Sequence, residues 1–184
     1  HGAWENTTNH HAALYASSKD PSPNALIKTK YNAHTAIQRY LADGAPPDKI
    51  ILGVPFYGRA WKGVPAANNG LFQSSTGVPP GTWDDWQSGA TGVNDYWEIK
   101  KLEASPDYTR VWDAEASAPY LYAPTVHQGH MISYEDQQSL TLKLQYVSKH
   151  KLGGVMFWEL SGDDHSVPQS SLLETIHKTL HTTP

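Results

Sequence analysis

KIILGVPFYGR at residues 49–59 and GGVMFWELSGDD at residues 153–164 decide how this chain is built. Each opens with a short, continuous apolar run of strand length, the kind of run that is buried on both faces of a parallel sheet. A helical pattern precedes each one. Residues 24–41 place Ile27, Tyr31, Ile37 and Leu41 near a helical period and are closed by Gly44, Pro46 and Pro47, so one helix is expected there. Residues 134–150 place Leu140, Leu144 and Val147 on one helical face. A third helix is expected from Ser171-Leu172-Leu173-Glu174, which has the capping-box pattern, with Leu173, Ile176 and Leu180 as its buried stripe. Alternation of helix and buried strand puts the chain in the α/β class.

Far more chain separates the two strands than the ~30 residues of one strand–helix repeat. The intervening residues 61–132 are rich in Gly, Pro, Asn and Ser and hold strand-like pieces at 108–113 and 119–123 and a short helix at 95–102. They read as an α+β subdomain grown from the loop after the first strand. The expected organisation is therefore 1–60 and 133–184 as one α/β unit, with 61–132 inserted.

Composition narrows the partners. With 184 residues, 39% apolar and 17% charged, the chain is long enough for a globular core. A net charge of -4 without a basic cluster makes nucleic acid a poor partner. The longest apolar run is far short of the ~20 residues that span a bilayer, so no membrane partner is expected, and no signal-peptide pattern opens the chain. The absence of cysteine leaves the redox compartment open. Ten His invite a metal reading, but no HExxH or similar ligand spacing occurs; Asp163-Asp164-His165 is better placed to cap a turn. Seven Trp and ten Tyr supply flat faces with polar edges, suited to core packing or to sugars.

Functional side chains of parallel barrels stand at the C-terminal ends of strands. That singles out Tyr57 and Arg59 after the first strand and Trp158 and Glu159 after the second. Strand alternation puts Tyr57 and Arg59 on one face and sets Glu159 opposite Trp158, unless the strand has already ended. Arg59 could equally pair with a carboxylate at the rim, and Glu159 could form a structural salt bridge. Trp61, Trp97 and Trp112 are read as structural.

GVPFYGR, an inserted subdomain directly after it, ISYED (132–136) opening a helix, and GGVMFWELSGDD as last strand together resemble family 18 chitinases, in order and over nearly the whole chain. The resemblance implies the C-terminal portion of a (β/α)8 TIM barrel, from the end of strand 6 to helix 8, with an α+β insertion subdomain. It implies a substrate of chitin or N-acetylglucosamine oligosaccharides, no cofactor, and an extracellular location. Trp158 matches the family's floor under the sugar, Tyr57 and Arg59 its YGR residues, and Glu159 a carboxylate beside that floor. Trp4, in HGAW, resembles an aromatic platform on the leaving-group side. Trp83 and Asp84, in GTWDDW, resemble a Trp-Glu pair of the insertion, with Asp for Glu and a second candidate at Trp86.

The family cleaves β-1,4 bonds with the substrate's own N-acetyl oxygen as nucleophile, while a Glu ending a D-x-x-D-x-D-x-E strand acts as acid. That motif does not occur here, and HGAW resembles the residues that follow the family's sixth strand. No catalytic residue is therefore assigned; the acid is expected upstream of His1, and the chain alone is expected to be inactive. A non-catalytic chitinase-like lectin fits the same residues. A free-standing α+β domain unrelated to sugar fits them less well, because two lone barrel strands leave apolar edges unpaired.

Overall fold

The structure is a computed structural model, and it describes residues 1–2, 4–84 and 91–181. Along the chain lie α1 (Ala25–Lys30), α2 (Ala33–Ala42), β1 (Ile51–Pro55), β2 (Tyr57–Lys62), β3 (Val93–Asp95) and α3 (Tyr96–Glu103). They are followed by β4 (Thr109–Asp113), β5 (Ala118–Ala123), β6 (His130–Ser133), α4 (Gln137–Lys149), β7 (Gly154–Trp158) and α5 (Leu172–His181). β1 and β7 form a parallel pair in the register Ile51↔Gly154 to Pro55↔Trp158. The other five strands form an antiparallel sheet in the order β3-β2-β6-β5-β4.

The single helix expected over residues 24–41 is two. Asn32 is extended, its Oδ1 accepts from Thr35 N at 2.9 Å to cap α2, and its Nδ2 donates to Thr29 O at 3.0 Å to close α1. An Asn side chain that satisfies backbone groups on both sides of itself outcompetes the continuous helical ladder. Tyr31 then falls at the break, 61% exposed, rather than in a buried stripe.

Burial on both faces of the two parallel strands is also not observed. Leu52 and Val54 point into the main core with Leu140, Leu144 and Val147 of α4, Leu172 and Ile176 of α5, and Ile37 of α2. The alternate residues Ile51 and Met156 are each 52% exposed on the strands' other face. No helix among the described residues is long and apolar enough to cross a membrane.

The antiparallel sheet has a core on each side. Ile99 of α3, Leu121 and Ile132 join the main core, while Trp61, Val64, Leu71, Tyr120, Tyr122 and Met131 form a second cluster. Trp61 is fully buried, with Nε1 donating to Glu5 O at 3.1 Å, so its role is structural as its setting in the sequence suggested. Gly58 is glycine for want of room: a Cβ there would lie 2.7 Å from Ile99 Cδ1 and 2.9 Å from Ser133 O.

Two helix starts differ in detail from the sequence reading. α4 begins after Asp136, which exchanges capping bonds with Ser139, so Tyr134 and Glu135 precede the helix and are buried. Glu135 pairs with Lys143, which also donates to Ala12 O, and Ser139 Oγ donates to Glu135 at 3.2 Å. At α5, Ser171 Oγ accepts from Glu174 N at 3.0 Å, but the Glu174 carboxylate turns outward to Lys178 at 3.1 Å. Asp163 completes the cap by accepting from Leu172 N at 2.8 Å and Leu173 N at 3.0 Å. The helix starts at Leu172 as the Ser171 cap implies, but its buried stripe is Leu172 and Ile176 with Leu180 packed beside them, and Leu173, on the adjacent face, is 36% exposed.

Burial pushes the Glu135 carboxyl up against the pull of Lys143. Lys143→Met, which strands this carboxylate without a partner, should cost about 3–5 kcal/mol in a denaturant titration, and adding Glu135→Gln should recover part of that loss. A second buried pair joins His10 to Asp113 at 2.9 Å. Burial raises the Asp113 carboxyl, but the His10 hydrogen bond and charge with the backbone N–H groups of Ala116 and Glu115 outweigh it and hold it at about 2, below the ordinary 3.8. Between those values the unfolded chain takes up a proton on this carboxyl that the folded chain refuses, so the Asp113 contribution to stability should be constant above about pH 4 and be lost towards pH 2. Urea midpoints measured across that window should fall less steeply for Asp113→Asn.

Candidate functional site

The parallel pair and the antiparallel sheet meet at Phe56. Its N–H donates to Trp158 O at 2.7 Å, one rung beyond the Pro55↔Trp158 pairing, and its carbonyl accepts from Tyr96 N at 3.0 Å. Chain leaving β1 therefore enters β2 beside the end of β7. A cleft of about 300 Å³ opens at this junction, walled by Tyr57, Arg59, Trp83, Asp95, Trp158 and Glu159. Five of the seven site residues expected from the sequence line it together.

Tyr57 and Arg59 alternate on β2 and share the half-buried face, as expected. The guanidinium lies 5.0 Å from the Trp4 ring centroid and 5.6 Å from that of Tyr57, and Nε is buried without a hydrogen-bond partner. Among the described residues no carboxylate pairs with it. Two cation–π contacts of ~0.5–2 kcal/mol each hold the arginine in place of the rim ion pair. Trp4, 69% exposed, reaches the cleft only through Arg59.

Trp158 ends β7 with 65% of its surface exposed. The peptide to Glu159 is cis, and Glu159 leads into a 3-10 turn at Leu160–Gly162. Strand alternation has ended, so Glu159 lines the same cleft as Trp158 instead of turning to the other face. No cation pairs with its carboxylate among the described residues.

Trp83 also lines the cleft, 68% exposed, its Nε1 donating to Asp95 Oδ2 at 2.6 Å. Asp84 is not part of the lining; its Oδ2 accepts from Gly81 N at 3.4 Å. Trp86 lies outside the described residues. Trp97 stands behind Trp83 at 6.4 Å, edge to face, and Trp112 lies under Arg110, both supporting roles.

Sequence reasoning missed Asp95 and His11. Asp95 falls at the start of an expected helix, and its register opposite Tyr57 emerges only from the sheet. His11 lines a second cleft of about 190 Å³ on the far side of Tyr57 and Trp158, its ring 4.9 Å from that of Tyr57 and its Nε2 buried without a partner. Burial first, then the positive charge of Arg59, holds this imidazole well below its usual range. No cluster of three or more metal-ligating side chains occurs among the described residues.

The family model for glycosyl hydrolases family 18 matches residues 1–163. The chain belongs to glycosyl hydrolase family 18. Among curated family members, chitinase A1 of Niallia circulans is 37% identical over 176 residues, covering 93% of this chain and 24% of that protein. Chitinase ChiA74 from Bacillus thuringiensis superposes with a TM-score of 0.85 at 40% identity, over 100% of this chain and 30% of that one. A family 18 chitinase from Cycas revoluta in complex with (GlcNAc)3 matches with a TM-score of 0.70 at 30% identity, over 89% of this chain and 40% of that one. The chain thus spans well under half the length of each of these relatives.

Within this family 18 chain, exposure separates residues that build the cleft from residues that only wall it. Trp158→Ala, at a site 65% exposed, should leave the unfolding midpoint within about 0.5 kcal/mol of wild type. Phe56→Ala, at a fully buried ring stacked 4.7 Å from Phe157, should cost about 3–5 kcal/mol. Chemical denaturation of the two variants side by side tests the contrast.

Proposed function

We propose that these residues are the substrate-binding part of a chitinase that hydrolyses β-1,4 bonds between N-acetylglucosamine units. The observation that carries the reading is the convergence of Trp158, Tyr57, Arg59, Trp83 and Glu159 on one cleft. An exposed indole at the cleft floor offers a flat apolar face to the C–H face of a pyranose ring, the use of Trp in which one side is apolar and the rim is wet. Tyr57, Arg59 and Glu159 supply a hydroxyl, a cation with free N–H groups and an acceptor for sugar hydroxyl and acetamido groups. Trp4, held against Arg59, extends the aromatic surface towards the leaving-group side. Asp84, in its turn, shapes the Trp83 wall rather than touching sugar.

In this reading residues 1–60 and 133–184 are the end of strand 6 through helix 8 of a (β/α)8 barrel, and 61–132 are its insertion domain. Support comes from the parallel β1–β7 pair with helices on one face and a bare apolar face on the other, where further barrel side chains fit. The proton donor lies on chain outside these 184 residues, since they hold no D-x-x-D-x-D-x-E. Secretion accords with the polymeric substrate, and the substrate-assisted route uses no cofactor.

Two measurements test this. In the full-length protein Trp158→Ala should weaken binding of N-acetylglucosamine oligomers roughly 30-fold, about 2 kcal/mol, the scale of a buried Trp contact. Unchanged affinity would remove sugar from the cleft. The 184-residue chain by itself should release no product from chitin oligomers, and turnover by it would show that the acid lies within it.

A further inference from the structure

Asp95 occupies the N-cap position of α3, where an aspartate ordinarily accepts a backbone N–H and contributes ~1 kcal/mol to the helix. Here its side chain makes no capping bond. Its Oδ2 instead accepts two indole N–H groups, Trp83 Nε1 at 2.6 Å and Trp97 Nε1 at 3.1 Å. One carboxylate oxygen thus clamps an exposed Trp of the cleft wall to a half-buried Trp behind it, the rings edge to face at 6.4 Å.

The residue before Trp83 is fastened to the same strand. Thr82 N donates to Val93 O at 2.9 Å, and Asp95 N donates to Thr82 Oγ1 at 2.8 Å. The Thr82 hydroxyl donates in turn to Glu98, whose carboxylate also accepts from Asn94 Nδ2 at 3.1 Å. Lys101 Nζ lies 4.5 Å over the Trp97 ring. Asp95 itself faces Tyr57 across the β2–β3 register and lines the cleft. Backbone and indole edge are both tied, yet the face of Trp83 stays open to solvent.

We propose that Asp95 is a positioning residue for substrate: by holding the indole N–H it fixes Trp83 as a standing wall of the cleft that Trp158 also lines. The proposal rests on the saccharide reading of that cleft. A free exposed indole samples several rotamers, and a sugar that stacks on it must bear the entropy of selecting one. The carboxylate bears that cost in the folded protein before substrate arrives. Charge matters to the choice of residue, since an ionised carboxylate holds an N–H about twice as strongly as a neutral acceptor.

The test is a double-mutant cycle in the full-length protein, with KM and kcat measured on N-acetylglucosamine oligomers and thermal melts in parallel. Asp95→Ala should raise KM roughly fivefold with kcat little changed. Asp95→Asn, which keeps one amide oxygen as acceptor, should restore most of the affinity and guards against a folding defect in the alanine variant. In the double variant Asp95→Ala/Trp83→Ala, KM should be no higher than in Trp83→Ala alone, because Asp95 acts through that ring. Multiplying effects in the double variant, or a wild-type KM for Asp95→Ala when Trp83→Ala and Trp158→Ala both bind poorly, would overturn the positioning role and leave the saccharide reading standing. Wild-type KM in both Trp variants would overturn the two together.

Discussion

The backbone of Phe56 is the point on which the architecture turns. Its N–H extends the parallel β1–β7 ladder to Trp158 O, its carbonyl anchors the first N–H of α3, and its fully buried ring stacks on Phe157. The same carbonyl leaves no space beside it: a Cβ on Gly162 would come within 2.5 Å. One residue therefore fixes the end of β7, the turn after Glu159, the start of α3 and the entry into β2. Tyr57, Arg59, Asp95, Trp158, Glu159 and Gly162 of the cleft lining descend from those four elements, and Trp83 joins them from the segment before β3, so most of the cleft geometry follows from how tightly this junction closes.

Buried polar groups fix the remaining joints. Glu135 and Lys143 tie the start of α4 to the carbonyl of Ala12, and His10 with Asp113 ties the same N-terminal segment to the end of β4. Asp163 holds the start of α5 against the turn that follows β7. Each such group would be costly alone in the core; Lys143 and His10 find partners 131 and 103 residues away, while Glu135 and Asp163 are held by partners within ten residues. The result is specificity of placement: an apolar contact could slide along the N-terminal loop, whereas these bonds admit a single register.

Much of this was legible in the sequence because it depends on local pattern. The apolar runs, the helical periods around Leu144 and Ile176, and the turn-capping role of Asp163 follow from spacing and residue type. What the sequence hid is of two kinds: local side-chain bonds and element ends that periodicity does not register, and partners brought in from far along the chain. The break at Asn32 arises because one amide serves two helix ends, which periodicity does not register. The bare face of Ile51 and Met156 reflects what lies against the strands, and an apolar run reads alike whether one face or both are covered. Glu159 shares the cleft with Trp158 because β7 ends one residue early, within the ordinary uncertainty of element ends. Asp95 falls at the start of an expected helix, and nothing in the local pattern shows that its carboxylate accepts from two indoles.

The tryptophans show how one residue type divides between packing and recognition. Trp61 buries ring and N–H alike, with Glu5 O closing its one polar valence. Trp4, Trp83 and Trp158 leave between 65% and 69% of their surface in water, although an aromatic face so exposed gains nothing for folding. These three do not lie scattered over the surface: Trp83 and Trp158 wall one cleft, and Trp4 reaches it across Arg59. Trp83 and Trp4 are held at an edge or a face by a charged partner, Asp95 for one and Arg59 for the other, while the rest of the ring stays open. Charge orders these exposed aromatics without covering them, and in the saccharide reading proposed for the cleft the open surface they leave is the mouth formed where the parallel strands end.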